Sequence, residues 1–443
     1  MDPRRAPAPL LLLFVLLLLV PGALPPAAIP APAAAPREDT VLLLHTNDLH
    51  GHIENAAALA GLAKAERAKR KDVLWLDAGD AVSGTPVSTV FRGTPIFAVT
   101  SLMGIDASCL GNHEFDHGWA RIASFREAAA HPILCANARD PEGNLLADAE
   151  WRVFDVDGVR VGVVGLLTEK TPGMTVRRGN EGVRFEKAKD ALLRLLPAVR
   201  AESDLVVALT HLGFEEDEAL ARTVPGVDVV VGGHSHTPLP GPVEFGRTVV
   251  VQAGRYGERL GRLEVVVDLD RRRIARWEGR PVVLAEAADP PLDPAVARTV
   301  EELERKVEAM VDVVVAAASR DLGKADLRDL VEAACREALG TDLGLMNEGG
   351  LRAEIPRGPV TIRQVWNLLP FDNTLVRVRV PGKALPPRLA KGLDPGKVYT
   401  VATNSFVADH LERHLPGALE GAEDSGIPLR DAVVDWVRRR GDL

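Results

Sequence analysis

Cysteine is scarce: Cys109, Cys135 and Cys335 are the whole supply in 443 residues. Three scattered thiols exclude a disulfide framework and a thiolate metal site, so a metal here must be held through nitrogen and oxygen. Aromatic residues make up only 4% of the chain. Basic residues do not outnumber acidic ones; 53 Lys and Arg stand against 62 Asp and Glu, a formal charge of −9. A chain so balanced, with no basic stripe, is a poor fit to nucleic acid. Long apolar runs are missing beyond residue 20, so no later segment reaches the roughly 20 residues a membrane-spanning helix needs. What remains is globular composition, 46% hydrophobic and 26% charged, in a chain too long for one ordinary core.

The first residues read as an address. Arg4 and Arg5 precede an apolar run from Leu10 to Val20, followed by Pro21-Gly22 and small residues. That is the pattern of a secretory signal, with cleavage expected between Ala23 and Ala35. An uncleaved N-terminal anchor is the alternative. Ala27 to Pro36 is rich in Pro and Ala and reads as a tether. Residues 1–36 are therefore assigned to signal and tether, which predicts a secreted or periplasmic protein with no stable membrane insertion once the signal is removed.

Short apolar runs then alternate with helical patterns. The runs are Val41–Leu44, Val73–Leu76, Val159–Leu167, Leu205–Leu209, Val227–Val231, Thr248–Val251 and Leu263–Val267. Their length and bracketing predict buried strands of a layered α/β domain over residues 37–286. A proline-marked break (Ala287 to Pro294) leads into an amphipathic helical stretch, Thr299 to Val311, so 287–312 reads as a linker. Residues 313–443 form a second, smaller domain.

Polar residues follow the runs directly. Val41–Leu44 leads to Asp48 and His50, Val73–Leu76 to Asp77 and Asp80, and Cys109-Leu110 to Asn112, His113, Glu114 and Asp116. Leu205–Leu209 ends at His211, and Val227–Val231 leads to His234 and His236. In open α/β sheets the carboxyl ends of strands share an edge where ligands bind, so these side chains are expected to converge. Asp48, His50, Asp80, Asn112, His211, His234 and His236 make seven N/O ligands, more than the four usual for one zinc. The count fits two divalent ions about 3.5–4 Å apart, an arrangement used for phosphoryl hydrolysis. Zn, Mn and Fe all suit such ligands.

The segments DLH, GDAVSG, GNHEFDHG, THLG and GGHSH resemble, in sequence and order, the calcineurin-like metallophosphoesterases, and within them the exported 5′-nucleotidases. The resemblance implies a four-layer sandwich of two packed sheets flanked by helices. It implies that Asp48, His50 and His236 hold one ion, that Asn112, His211 and His234 hold the other, and that Asp80 bridges. A hydroxide shared by the ions would attack phosphorus, while His113 stabilises the phosphate or protonates the leaving group. Asp116, three residues on, is placed to fix the His113 tautomer. In the smaller domain, Asn347, Gly349, Gly350 and Arg352 are similar to the family's substrate-binding Asn-x-Gly-Gly-x-Arg. Phe371 and Phe406 resemble the two rings that sandwich a nucleobase. One segment departs: Val407-Ala408-Asp409 stands where the family continues Gly-Gly-Asp-Gly-aromatic, and Asp409 is the candidate to take over from that Asp. Arg320 and Arg328 are candidates for further substrate arginines. His131, His410 and His414 read as ordinary surface or packing residues, and Glu114 as structural.

The expectation is an exported metal-dependent phosphohydrolase that converts nucleoside 5′-monophosphates, or other nucleotides, to nucleoside and phosphate. A related hydrolase for cyclic nucleotides, nucleotide sugars or a sulfur ester is the alternative within the same class. From another class, the alternative is a non-catalytic periplasmic binding protein on the same fold.

Overall fold

A computed structural model describes residues 37–443; the signal and tether assigned to residues 1–36 lie outside the described residues. Each apolar run from Val41 onward lies within a strand or, for Val227–Val231, largely overlaps one. They belong to two sheets. The first runs in the order Arg273–Gly279, Arg259–Asp268, Glu38–Thr46, Val73–Asp77, Ala107–Cys109, Ile133–Leu134. Its last four strands are parallel, while Arg259–Asp268 lies antiparallel to Glu38–Thr46. The second sheet runs Val243–Phe245, Thr248–Val251, Val229–Gly232, Leu205–His211, Val159–Leu167, Trp151–Val156. Its four middle strands are parallel.

The runs are apolar throughout because both faces of each strand are covered. Val41 and Leu43 point between the sheets, where they meet Val161, Val207 and Val229. Leu42 and Leu44 point outward, into a layer shared with the helix Ala56–Arg67. Across the second sheet, Val206, Ala208 and Val230 pack under the helices Ala188–Glu202 and Phe214–Thr223. The result is helix, sheet, sheet, helix: the expected four-layer sandwich.

The amphipathic stretch is a helix, Pro294–Val311, capped by Asp293, whose carboxylate accepts from the backbone N–H of Ala295 and Val296. It is no free connector. Val296, Leu303, Val307 and Val311 are buried in the outer core of the first sheet, so the helix is fastened along its length to the N-terminal domain. The chain beyond forms a four-stranded sheet in the order Leu343–Gly344, Val398–Asn404, Thr374–Pro381, Leu419–Pro428. Helices Lys324–Leu339 and Leu429–Arg440 cover one face of it.

Candidate metal centre and substrate cavity

The seven candidate ligands gather at the carboxyl ends of strands, but from two facing sheets rather than one. The first sheet supplies Asp48, His50, Asp80 and Asn112, and the second supplies His211, His234 and His236. Backbone hydrogen bonds lace the exit loops together: Asp48 N–H donates to the Gly79 carbonyl and His50 N–H to the Asp80 carbonyl, each at 2.9 Å. Across the two sheets, His234 N–H donates to Asp48 Oδ2 at 2.9 Å. Glu114 is structural, as expected. Its buried carboxylate accepts from the N–H groups of Gly111, Asp80 and Ala81 at 2.6, 3.1 and 2.9 Å, clamping the Asp80 loop to the Asn112 loop.

Asp48, His50, Asp80, His234 and His236 all have left-handed backbone, with φ of 53°, 50°, 54°, 75° and 55°. Non-glycine residues adopt it at a cost of about 1–3 kcal/mol each, and such strain concentrates at functional sites. Glycine accounts for the closest approach: a Cβ on Gly111 would lie 2.2 Å from Asp80 Oδ1.

Three overlapping groups have ligand atoms close enough to share an ion: Asp48, His50 and His236; His50, Asp80 and His113; and Asp80, His211 and His234. Tautomers are set from behind. His50 Nδ1–H donates to the Ser83 carbonyl at 2.9 Å and His211 Nδ1–H to the Ala78 carbonyl at 2.7 Å, which leaves each Nε2 lone pair facing the cluster. The Nε2 atoms of His50 and His236 then stand 3.0 Å apart. Asp48 Oδ1, Asn112 Oδ1 and His211 Nε2 are buried without a hydrogen-bond partner. Buried polar atoms rarely stay unpartnered, and all three belong to residues of the candidate ligand set. The donor set fits divalent cations.

Electrostatics agree at His50 and His234; at His211 burial lowers the pKa, but the Asp80 carboxylate 3.0 Å away more than offsets it and lifts the imidazole to about 10, a proton that a bound cation would displace. Burial holds His50 well below its ordinary pKa and His234 at about 4, so both stay neutral and able to ligate. Burial pushes Asp80 upward, but His211 and His113 outweigh it and hold the carboxyl well below its usual range. Asp80 Oδ2 lies 3.0 Å from His211 Nε2 and 3.7 Å from His50 Nε2, a central position between the two ligand groups.

His113 stands where the cluster meets the cavity. Its backbone N–H donates to Asp80 Oδ1 at 2.8 Å and its Nδ1–H to Asp116 Oδ2 at 2.7 Å. Nε2 is left 4.0 Å from Asp80 Oδ2, at the wall of a cavity of about 420 Å³. Phe371 stacks on the His113 ring, with centroids 5.2 Å apart and planes 11° from parallel. Arg352 lies 5.8 Å from the Phe371 ring centre and puts Nη2 3.5 Å from His50 Nε2, so it spans cavity and cluster. Asn347, Gly349, Gly350 and Phe406 line the same cavity. Gly350 is tight, since a Cβ there would come within 2.4 Å of Met346 Cε.

Three expectations fail. Asp409 does not line the cavity; its Oδ2 accepts from the Arg177 N–H at 2.7 Å, because a short helix, Ser405–Asp409, replaces the expected loop and carries the side chain outward. Arg320 pairs with Asp326 at 2.6 Å, and neither it nor Arg328 reaches the cavity. His414 is no ordinary surface residue: it lines the cavity 5.7 Å from the Phe406 ring. Arg178, on the loop after Val159–Leu167, and Arg413 were missed as well. No motif marks them, because they are lone residues brought to the cavity by tertiary contact. Tyr256 was also missed; it sets its ring edge-on to His50 and His236 at 5.8 and 5.9 Å. Cys109, Cys135 and Cys335 are free and buried.

Comparison with known proteins gives this geometry a context. Residues 41–238 match the calcineurin-like phosphoesterase family and residues 306–391 match the 5′-nucleotidase C-terminal domain. The chain is 29% identical over 404 residues to the trifunctional nucleotide phosphoesterase protein YfkN of Bacillus subtilis, covering 79% of this chain but spanning only 27% of that longer protein. It is 30% identical over 454 residues to a 5′-nucleotidase of Homo sapiens, covering 87% of this chain and 75% of the relative. The crystal structure of a 5′-nucleotidase precursor from Thermus thermophilus superimposes with a TM-score of 0.80 at 28% identity, covering 91% of this chain and 97% of the other.

Proposed function

The chain belongs to the 5′-nucleotidase family of calcineurin-like phosphoesterases, and from that premise we propose that it is an exported phosphohydrolase releasing phosphate from nucleoside 5′-monophosphates or related nucleotides. One observation carries the reading. The cavity walled by His113, Arg352, Phe371 and Phe406 meets the cluster of Asp48, His50, Asp80, Asn112, His211, His234 and His236 at Asn112 and His234, which line it.

Two divalent cations are proposed, one held by Asp48, His50 and His236 and one by Asn112, His211 and His234, with Asp80 serving both. Bound there, they would supply charge neutralisation of a phosphoryl group and acidification of water. The protein's own groups do the rest. Arg352, a planar fork reaching from the cavity to His50, holds phosphate oxygens. Burial depresses the His113 pKa, but Asp116 and Asp80 more than offset it and the net shift is upward, which favours a proton on Nε2 for donation to the phosphate or the leaving oxygen. Asp116 fixes that ring. Asn347 and the two glycines bring backbone close to the ligand, while Phe371 and Phe406 offer faces to a base.

In this reading residues 37–286 hold the metals, 313–443 present the substrate, and 287–312 join them. Motion between the halves would turn at Asp312–Val313, because the helix before it belongs to the first core. Export rests on the residue pattern of positions 1–36. The test is elemental analysis of the purified protein together with phosphate release from a panel of mononucleotides. About two metals per chain with nucleotide-dependent release is the expected result. A protein that takes up no divalent metal, or releases no phosphate when loaded, overturns the proposal.

A further inference from the structure

The part of the chain that departs from its family also determines what the far end of the cavity can recognise. Two short helices, Ser405–Asp409 and Leu411–His414, are fastened to the loop at residues 173–178. Arg177 Nη2 donates to the Asp409 carbonyl at 3.2 Å, His410 Nε2 to the Thr175 carbonyl at 2.9 Å, and Arg413 Nη1 to the Gly173 carbonyl at 3.3 Å. With Asp409 drawn outward to Arg177, His410 and His414 pack against the Phe406 ring at 4.8 and 5.7 Å, and Arg413 lines the cavity together with Arg178 of the loop.

Counting donors against acceptors makes the consequence plain. Three of the side-chain acceptors that line this end are already engaged, while His414 Nε2 is buried without a partner among the described residues and the Glu348 carboxylate faces solvent. The Asp372 carboxylate is bound by Arg430, Asn373 Oδ1 accepts from Ser405 Oγ at 3.0 Å, and Asn347 Oδ1 accepts from Asn404 Nδ2 at 2.9 Å. Glu348 is 90% exposed, at the rim beside Arg328. The donors are in surplus. Among the described residues Arg178 makes one hydrogen bond, to the Asp372 carbonyl at 3.1 Å, and Arg413 makes one, to the Gly173 carbonyl. A guanidinium has five N–H donors and accepts nothing.

We propose that Arg413 is a specificity-determining residue that selects nucleotides whose base presents acceptors at its outer edge, which makes 6-oxopurine nucleotides preferred over adenine nucleotides. The inference rests on the hydrolase reading above. Guanine and hypoxanthine offer adjacent O6 and N7 acceptors that match an arginine fork, whereas adenine places an amino donor where O6 would be. A donor facing a donor leaves both unsatisfied, and polar mismatches of this kind discriminate more sharply than differences in apolar shape.

IMP and AMP test the point because they differ in the group at position 6 and the N1 proton that goes with it, while both keep N7. The metal-loaded full chain is expected to show kcat/KM for IMP and GMP at least about tenfold above AMP. Arg413→Gln, whose amide can both donate to N7 and accept from an amino group, is expected to lower the IMP to AMP ratio to near or below one. Arg413→Lys, which keeps the charge and loses the fork, should fall between. A ratio taken within one preparation does not depend on how much of it is folded. Para-nitrophenyl phosphate separates the two claims. Turnover of this ester with AMP equal to or above IMP, or an unchanged ratio in Arg413→Gln, overturns the selectivity and leaves the hydrolase reading standing. No turnover of any ester overturns both.

Discussion

The two ends of the cavity are built to different rules. At the metal end five of the seven candidate ligands are buried, five sit in left-handed backbone, and carbonyls behind the rings dictate the tautomers of His50 and His211. At the base end Arg178 and Arg413 are exposed, each held by one hydrogen bond to a main-chain carbonyl, on segments of only a few residues. A group fixed by several neighbours cannot be exchanged singly; one fixed by a single contact can. Reaction chemistry is thus locked into the fold, and substrate preference is left to side chains that can change without disturbing it.

The largest expected effect tests the locked end. Asp80→Asn keeps the shape and removes the charge between His211 and His50. Metal content should fall and kcat should drop on the order of a thousandfold or more. Full activity in this variant would mean that the strained loops are not organised around a central carboxylate. His113→Asn draws the line between holding metal and using it. Metal content should stay at the wild-type level while kcat falls about 10²–10⁴-fold, the usual range for loss of a positioned acid. If elemental analysis shows the metal lost as well, His113 belongs to the ligand set.

The next effect is smaller and lies at the other end. Phe406→Leu removes a ring face but keeps apolar bulk beside His410 and His414. KM for a mononucleotide should rise roughly tenfold, in line with about 1–3 kcal/mol for a stacked base, with kcat little changed. Phe371→Leu should alter both constants, since that ring also stacks on His113. Steady-state kinetics on the pair checks whether the two rings differ as the structure says.

The same contrast explains what could be read from the residues alone. Strands were legible because burial on both faces of two packed sheets forces unbroken apolar runs, and the candidate ligands were legible because each follows such a run within six residues. That the strand ends belong to two facing sheets was not visible, since spacing along the chain does not say which strands pair. Asp409 was misplaced because its direction depends on the helix Ser405–Asp409, and that helix depends on bonds to residues more than 200 positions away. Arg178, Arg413 and His414 carried no local signal at all. Residues locked by local geometry announce themselves; those placed by distant contacts do not.

Asp217 shows how far beneath the ligands the locked end extends. It is fully buried, with the Thr210 hydroxyl donating to Oδ1 at 2.6 Å and Oδ2 without a partner. Gly232, in the strand end leading to His234, is accommodated against it; a Cβ there would lie 2.1 Å from Asp217 Oδ2. Burial pushes the Asp217 carboxyl up to about 8, with the Thr210 bond pulling modestly the other way. An unfolded chain releases this proton near pH 4, and the folded one keeps it to about pH 8. Between those values the native state binds more protons than the unfolded state, so stability falls as pH rises through the window. Asp217→Asn is neutral throughout and removes that slope. Its Tm advantage over wild type should therefore grow between pH 5 and pH 8 by roughly a few degrees, readable by calorimetry of both proteins at the two values. A constant difference would mean that the carboxylate ionises at its ordinary pKa, and that the dry, fixed environment stops at the ligands themselves.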